Sequence, residues 1–213
     1  MITKVKICGL TCKRDVDAAI KYGASYLGFI VNAESSRKLS VIEASRIALP
    51  ARKFCETVAV VVNPTNNLLE KIIQEMRPSY IQLHGNESME RVANIKNNFK
   101  IKLIKAVSID NKKDFITAEQ YTGLVDIMLY DSKPPLDSPQ RGGHGLLFDW
   151  SMISKVALPK TWALAGGLNI SNVENAINLT KAPILDVSSG LELAAGLKDH
   201  NKIKAFMDKI KNE

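Results

Sequence analysis

Eight short apolar runs constrain this chain more than any other feature, because they are continuous rather than alternating. They cover residues 5–8, 26–31, 58–62, 80–83, 101–107, 125–130, 161–165 and 183–187. A half-exposed strand alternates apolar with polar residues, whereas a strand buried on both faces is apolar throughout. The runs therefore predict a parallel sheet covered by helices. The segments between them have helical spacing. Leu69, Ile72, Ile73 and Met76 form one stripe, and Ile203, Phe206, Met207 and Ile210 another. Both read as core packing. Ser40 with Glu43, and Ser171 with Glu174, have the spacing of a capping box and mark expected helix starts after the second and seventh runs. Eight strand–helix units predict an α/β fold, a (β/α)8 TIM barrel, with residues 1–213 forming one catalytic domain. An open doubly wound sheet would normally begin with a G-x-G-x-x-G turn. The first turn here reads Cys8-Gly9-Leu10-Thr11.

Composition narrows the partners. Of the 213 residues, 46% are hydrophobic, yet no apolar run approaches the roughly 20 residues that span a bilayer. The N-terminus lacks the long apolar stretch of a signal peptide, so a cytoplasmic protein with no membrane partner is expected. The formal charge of +7 favours anionic small molecules. Lysines are scattered and aromatics make up only 6%, which argues against a nucleic-acid partner. The lysine-rich stretch 198–211 reads as the solvated face of an amphipathic helix. Cys8, Cys12 and Cys55 are odd in number and make no disulfide framework. With His84, His144 and His200 dispersed, no metal-ligand pattern emerges, and neither metal nor cofactor is expected. Oligomeric state is open between monomer and homodimer.

Chemistry in a barrel comes from the C-terminal ends of several strands. Two glycine turns stand at the last two of these ends, Gly166-Gly167 and Ser188-Ser189-Gly190. Glycines admit close backbone approach to an oxyanion, and a following helix start adds positive potential. The expected partner is thus a small phosphorylated substrate. The other ends supply Cys8, Arg37, His84 and Asp131, and a long Pro- and Gly-rich stretch, 131–145, follows the sixth run. Loops of that length are usually functional. A thiol and a carboxyl group suit paired proton transfers, which describes a cofactor-free sugar-phosphate isomerisation. Two readings stay open beside it. Lys105 comes closest to a strand-end lysine, as an imine-forming lyase or synthase needs. A noncatalytic phosphate-ligand or nucleic-acid binder could also keep the barrel for its shape.

Five motifs in order resemble the phosphoribosylanthranilate isomerase family over nearly the whole chain. They are Lys6-Ile7-Cys8-Gly9-Leu10-Thr11; Gln82-Leu83-His84-Gly85; Asp131-Ser132-Lys133 with Gly142-Gly143-His144-Gly145 and Phe148-Asp149-Trp150; Leu164-Ala165-Gly166-Gly167-Leu168; and Asp186-Val187-Ser188-Ser189-Gly190-Leu191-Glu192. The resemblance implies an Amadori rearrangement in tryptophan biosynthesis, with no metal or nucleotide cofactor. It implies Asp131 as the general acid at the furanose ring oxygen and Cys8 as the general base at C2. Arg37 would pair with the anthranilate carboxylate, while Gly166, Gly167, Ser188, Ser189 and Gly190 would hold the phosphate. Three positions depart from the family pattern: Ser36 stands where Pro commonly precedes the arginine, His144 where Thr or Ser is frequent, and Ala195-Gly196 where Pro-Gly is commoner.

Overall fold

Eight parallel strands close on themselves in the order β1 to β8 in a computed structural model that describes residues 3–133 and 145–211. The strands are β1 (Lys4–Ile7), β2 (Tyr26–Asn32), β3 (Glu56–Val61), β4 (Tyr80–Leu83), β5 (Lys102–Ile109), β6 (Ile127–Ser132), β7 (Trp162–Leu164) and β8 (Ile184–Val187). Each coincides with one of the eight apolar runs to within two residues. The ring is sealed by β1 pairing with β8, in the register Lys6↔Asp186 and Ile7↔Val187.

Strand alternation sorts the side chains into two cores. In β3, Val58 and Val60 belong to the barrel interior with Tyr26, Tyr80, Ile104, Leu129 and Ile184. Ala59 and Val61 face the helices. The outer core takes the predicted helix stripes: Leu69, Ile72 and Met76 are buried on α3 (Asn66–Glu75) and its end, and Ile203, Phe206, Met207 and Ile210 on α7 (His200–Lys211). The remaining helices are α1 (Lys13–Tyr22), α2 (Val41–Ala51), α4 (Met89–Phe99), α5 (Lys112–Glu119) and α6 (Val173–Thr180).

Ser40 caps α2 as expected. Its hydroxyl accepts from the Glu43 N–H while the Glu43 carboxylate accepts from the Ser40 N–H, a complete capping box. The second expected box is absent. Helix α6 is preceded by Asn172 at its N-cap, with no side-chain cap. Ser171 instead donates to Asn169 Oδ1 at 2.6 Å, and Asn169 and Asn172 both donate to the Gly167 carbonyl at 3.0 Å. Two asparagines offer the loop backbone local partners that outcompete the serine. After β6 the described residues form a six-residue 3₁₀ helix, Trp150–Lys155, in place of the expected α-helix. Between β8 and α7 lies an element not anticipated from the sequence, a small antiparallel hairpin of β9 (Glu192–Ala194) and β10 (Leu197–Lys198). It turns at Gly196, whose φ is +83°. The hairpin also corrects the expectation for Lys198. That residue is not on the solvated helix face but precedes α7 and is 1% exposed.

Candidate active site

Inward-facing residues at the C-terminal ends of the strands build one pocket. Cys8, Ile30, Val60, Gln82, His84, Asp131, Ala165 and Asp186 come from β1, β2, β3, β4, β6, β7 and β8 or the residues just after them. Arg37, Gly166, Gly167, Ser188 and Ser189 complete the wall. Of the candidates named from the sequence, Cys8, Arg37, His84, Asp131, Gly166, Gly167, Ser188 and Ser189 reach the same pocket, while Gly190 adjoins it and Lys105 does not line it. His144 falls outside the described residues, as does most of the loop 131–145.

The two glycine turns are neighbours because β7 pairs with β8 through Ala163↔Ile184 and Leu164↔Leu185. Gly166 and Gly167 adopt φ of +86° and +64°, a region that disfavours side chains. A Cβ on Gly166 would fall 2.7 Å from the Ser132 nitrogen, and one on Gly190 would strike the Leu168 carbonyl oxygen at 2.0 Å. The expectation of a helix start behind each turn holds for only one. A short 3₁₀ helix, Ser189–Leu191, begins immediately after β8, whereas α6 begins six residues beyond Gly167. The first residues of any helix carry N–H groups without partners inside it. These N–H groups and the glycine backbone are donors for an anion.

Asp131 is the penultimate residue of β6 and is 7% exposed. Its Oδ1 accepts from the Ser132 N–H at 2.8 Å, and its Oδ2 lies 3.4 Å from His84 Nε2. Gln82 Nε2 sits 2.8 Å from His84 Nδ1. If the glutamine amide donates there, the imidazole proton is on Nε2, the nitrogen nearer Asp131. Gln82 and His84 thus stand in line beside the Asp131 carboxyl group, two strands away. This supplies a position for His84, whose role the sequence left blank.

Cys8 follows β1, and its backbone N–H donates to the Val187 carbonyl at 2.9 Å. Its side chain belongs to the barrel-interior cluster and also lines the pocket. The residue is 8% exposed. Burial pushes the thiol above its ordinary value; the Lys6 ammonium beside it works in the opposite direction. Lys6 lies one pleat below and pairs with Asp186 Oδ2 at 2.8 Å, with side chains only 2% and 8% exposed.

Arg37 is 5% exposed. Its Nε and Nη2 donate to Glu192 at 2.8 and 2.7 Å, a bidentate pair. The remaining Nη1–Nη2 edge is the one left for a ligand. Gly9, at φ +74°, makes room for this side chain, since a Cβ there would stand 2.6 Å from Arg37 Cδ. Glu192 also accepts from Lys198 Nζ at 2.7 Å, and Lys198 donates to the Ser188 carbonyl at 3.1 Å. Although burial opposes it, the Arg37 hydrogen bonds and the Lys198 charge hold the Glu192 carboxyl below its usual range. The hairpin thereby ties Arg37 and the Ser188 turn to one carboxylate.

Lys6, Asp186, Glu192 and Lys198 were not singled out as site residues from the sequence. The signal that could have found Lys6 and Asp186 is a charge at an inward position of an otherwise apolar strand. Lys105 does not line the pocket. Its ammonium, 20 residues from Gly85 in the chain, donates to the Gly85 carbonyl at 2.8 Å and pairs with buried Glu87 at 2.9 Å. The imine reading loses its lysine. Among the described residues no group of three or more His, Cys, Asp and Glu is placed to hold a metal ion.

The profile of the N-(5'-phosphoribosyl)anthranilate (PRA) isomerase family matches residues 5–209. An N-(5'-phosphoribosyl)anthranilate isomerase of Rhizobium johnstonii is 43% identical over 206 residues, covering 97% of this chain and 93% of the relative. The crystal structure of phosphoribosyl anthranilate isomerase from Thermotoga maritima superposes with a TM-score of 0.86 at 33% identity, covering 99% of this chain and all of that one. A structure of such an isomerase in complex with reduced 1-(o-carboxyphenylamino)-1-deoxyribulose 5-phosphate gives a TM-score of 0.84 at 31% identity, again over 99% of this chain and all of that one. Sequence and barrel agree, and the chain belongs to the phosphoribosylanthranilate isomerase family.

Proposed function

We propose that Cys8 and Asp131 are the base and acid by which this chain converts N-(5-phosphoribosyl)anthranilate into 1-(2-carboxyphenylamino)-1-deoxyribulose 5-phosphate, an Amadori rearrangement. The observation that carries the assignment is their meeting in one pocket with both glycine turns and Arg37. The substrate has two anionic ends joined by a pentose. Its phosphate fits the N–H groups of Gly166, Gly167, Ser189 and Gly190 and the Ser188 and Ser189 hydroxyls. The anthranilate carboxylate fits the open edge of Arg37. Fixing both ends holds the pentose over Cys8 and Asp131, and such positioning contributes rate by itself.

In this reading Asp131 delivers its proton to the furanose ring oxygen. The C1–O bond breaks, and the anthranilate nitrogen lone pair forms the C1=N bond of an iminium ion. Cys8, as thiolate, then takes the proton from C2. The C2–H electrons form the C1=C2 bond, neutralise the iminium nitrogen and leave an enolamine, which tautomerises to the ketone. Two charges form, on the Asp131 carboxylate and the iminium nitrogen, and two are lost, on the Cys8 sulfur and that nitrogen, in a half-buried pocket where fixed groups act more strongly than in water. His84 and Gln82 are positioning residues for Asp131. No helix among the described residues is long and apolar enough to cross a membrane. A cytoplasmic location belongs to the same proposal, because a substrate charged at both ends does not pass a bilayer unaided.

The test is kinetic. Cys8→Ser and Asp131→Asn keep the side-chain volume and should retain the wild-type melting temperature. Each should lower kcat by at least about a hundredfold, the typical worth of a lost acid or base. Turnover is followed by the loss of anthranilate-type fluorescence. A variant that retains wild-type kcat removes its residue from the mechanism.

A further inference from the structure

We propose that Lys6 is the counter-ion of Cys8, a positioning residue whose ammonium, anchored by Asp186, stabilises negative charge on the sulfur. The proposal rests on the reading of Cys8 as the base and names what makes it one. Three observations converge. Lys6 is 1% exposed and occupies an inward site in β1, where the neighbouring apolar residues give a charged side chain no solvent. Its one carboxylate partner, Asp186, stands directly opposite in the β1–β8 register, and Asp186 Oδ1 is buried with no hydrogen-bond partner among the described residues. The pair is therefore held through a single contact and is not a closed network. Finally, Gly28 on β2 leaves a small space flanked by both groups. A Cβ there would meet Cys8 Sγ at 2.8 Å and Lys6 Nζ at 3.2 Å. The missing side chain is what lets sulfur and ammonium share that space.

A buried ion pair of this kind is a poor device for stability, since well-packed apolar residues of similar volume often do as well or better. Its use is better sought in the thiol beside it. Burial works against the charge on Lys6, but Asp186 and the Cys8 sulfur outweigh it and keep the amine above its ordinary value. The cation is thus permanent over the working pH range. Other groups bear on the same sulfur: Asp186 from β8 disfavours its anion, Lys198 from β10 favours it, and Arg37 interacts with it from the loop after β2. Arg37 and Lys198 are both committed to Glu192. Lys6 is the cation closest to the sulfur in effect, and Asp186 opposes it.

This arrangement gives two substitutions opposite signs. Rates of Cys8 alkylation by iodoacetamide are measured from pH 6 to pH 10 in a Cys12→Ala/Cys55→Ala background. Lys6→Met should move the profile to higher pH and slow alkylation at neutral pH by about tenfold or more, since one pKa unit is a tenfold change in thiolate. Asp186→Asn removes the competing carboxylate and should move the profile to lower pH. A mere packing defect would shift both variants the same way, so shifts of equal sign overturn the proposal, as does an unchanged profile in Lys6→Met. Should Lys6→Met fail to fold, Lys6→Met/Asp186→Asn removes both charges, and its profile must lie above that of Asp186→Asn. Alkylation reads the charge on sulfur whether or not Cys8 is the base. The kinetics of Cys8→Ser decide that separately.

Discussion

At the scale of single residues, Cys8 carries two conflicting demands. The proposed role as base requires it to sit in the barrel mouth, and that position takes it out of water. Burial therefore raises its thiol above the ordinary range. A raised thiol is largely protonated at neutral pH, and the thiolate fraction grows as pH climbs toward its pKa. With the base acting as thiolate, kcat/KM should keep rising above pH 8.5, the ordinary cysteine value. A plateau reached by pH 7 would contradict Cys8 as the group that titrates. Asp131 has the complementary arrangement. One oxygen is tied to the backbone of Ser132 and the other faces His84. His84→Ala should leave the fold intact and reduce kcat by about tenfold while KM changes little, because it removes orientation and no substrate contact. An equal rise in KM with unchanged kcat would instead place His84 on the substrate.

Among the elements, the β9–β10 hairpin does the most for its size. It brings Glu192 against Arg37 and Lys198 and so connects Arg37 to the Ser188 turn. Breaking a buried pair on one side typically costs about 3 to 5 kcal/mol. Glu192→Gln should show such a loss at pH 7, read from denaturant unfolding. The Glu192 carboxyl lies below its usual range in the folded chain. Its stabilising contribution is complete above the unfolded value of about 4.3 and fades as pH falls through the lower folded value. The stability gap between wild type and Glu192→Gln should accordingly narrow below pH 4. A gap constant down to pH 3 would show that the carboxylate charge is not what the hairpin uses. This element was illegible in the sequence. Two- and three-residue strands carry no periodicity, and Lys198 looked like one more lysine of the C-terminal helix. The same limit explains α6. Ser171 and Glu174 have the spacing of a capping box, but Asn169 and Asn172 win the loop backbone.

Over the whole molecule, the barrel was legible because each strand is buried on both faces and says so in composition. The convergence of Cys8 and Asp131 on one pocket was legible because a barrel presents strand ends on one rim, and both residues lie at or next to the ends of their strands. The ion pair beneath the rim was not, since nothing in Val5-Lys6-Ile7 or Leu185-Asp186-Val187 reveals that β1 closes on β8 in the register that opposes them. Net charge also acts at this scale. At +7 the molecule attracts a substrate that is anionic at both ends. Raising ionic strength from about 0.01 to 0.15 M shortens the Debye length from roughly 30 to 8 Å. When encounter limits turnover, kcat/KM should fall several-fold over that range while kcat holds. A salt-independent kcat/KM would mean that local groups alone capture the substrate.

The most direct measurement is a crystal structure of this protein with the reduced product analogue, 1-(2-carboxyphenylamino)-1-deoxyribulose 5-phosphate reduced at C2. Cys8 Sγ should lie within about 3.5 Å of C2 and an Asp131 oxygen within about 3 Å of the former ring oxygen, the separations that proton transfer requires. The phosphate should rest on the Gly166-Gly167 and Ser189-Gly190 backbone. A pentose lying across the pocket with C2 turned away from the sulfur would contradict it.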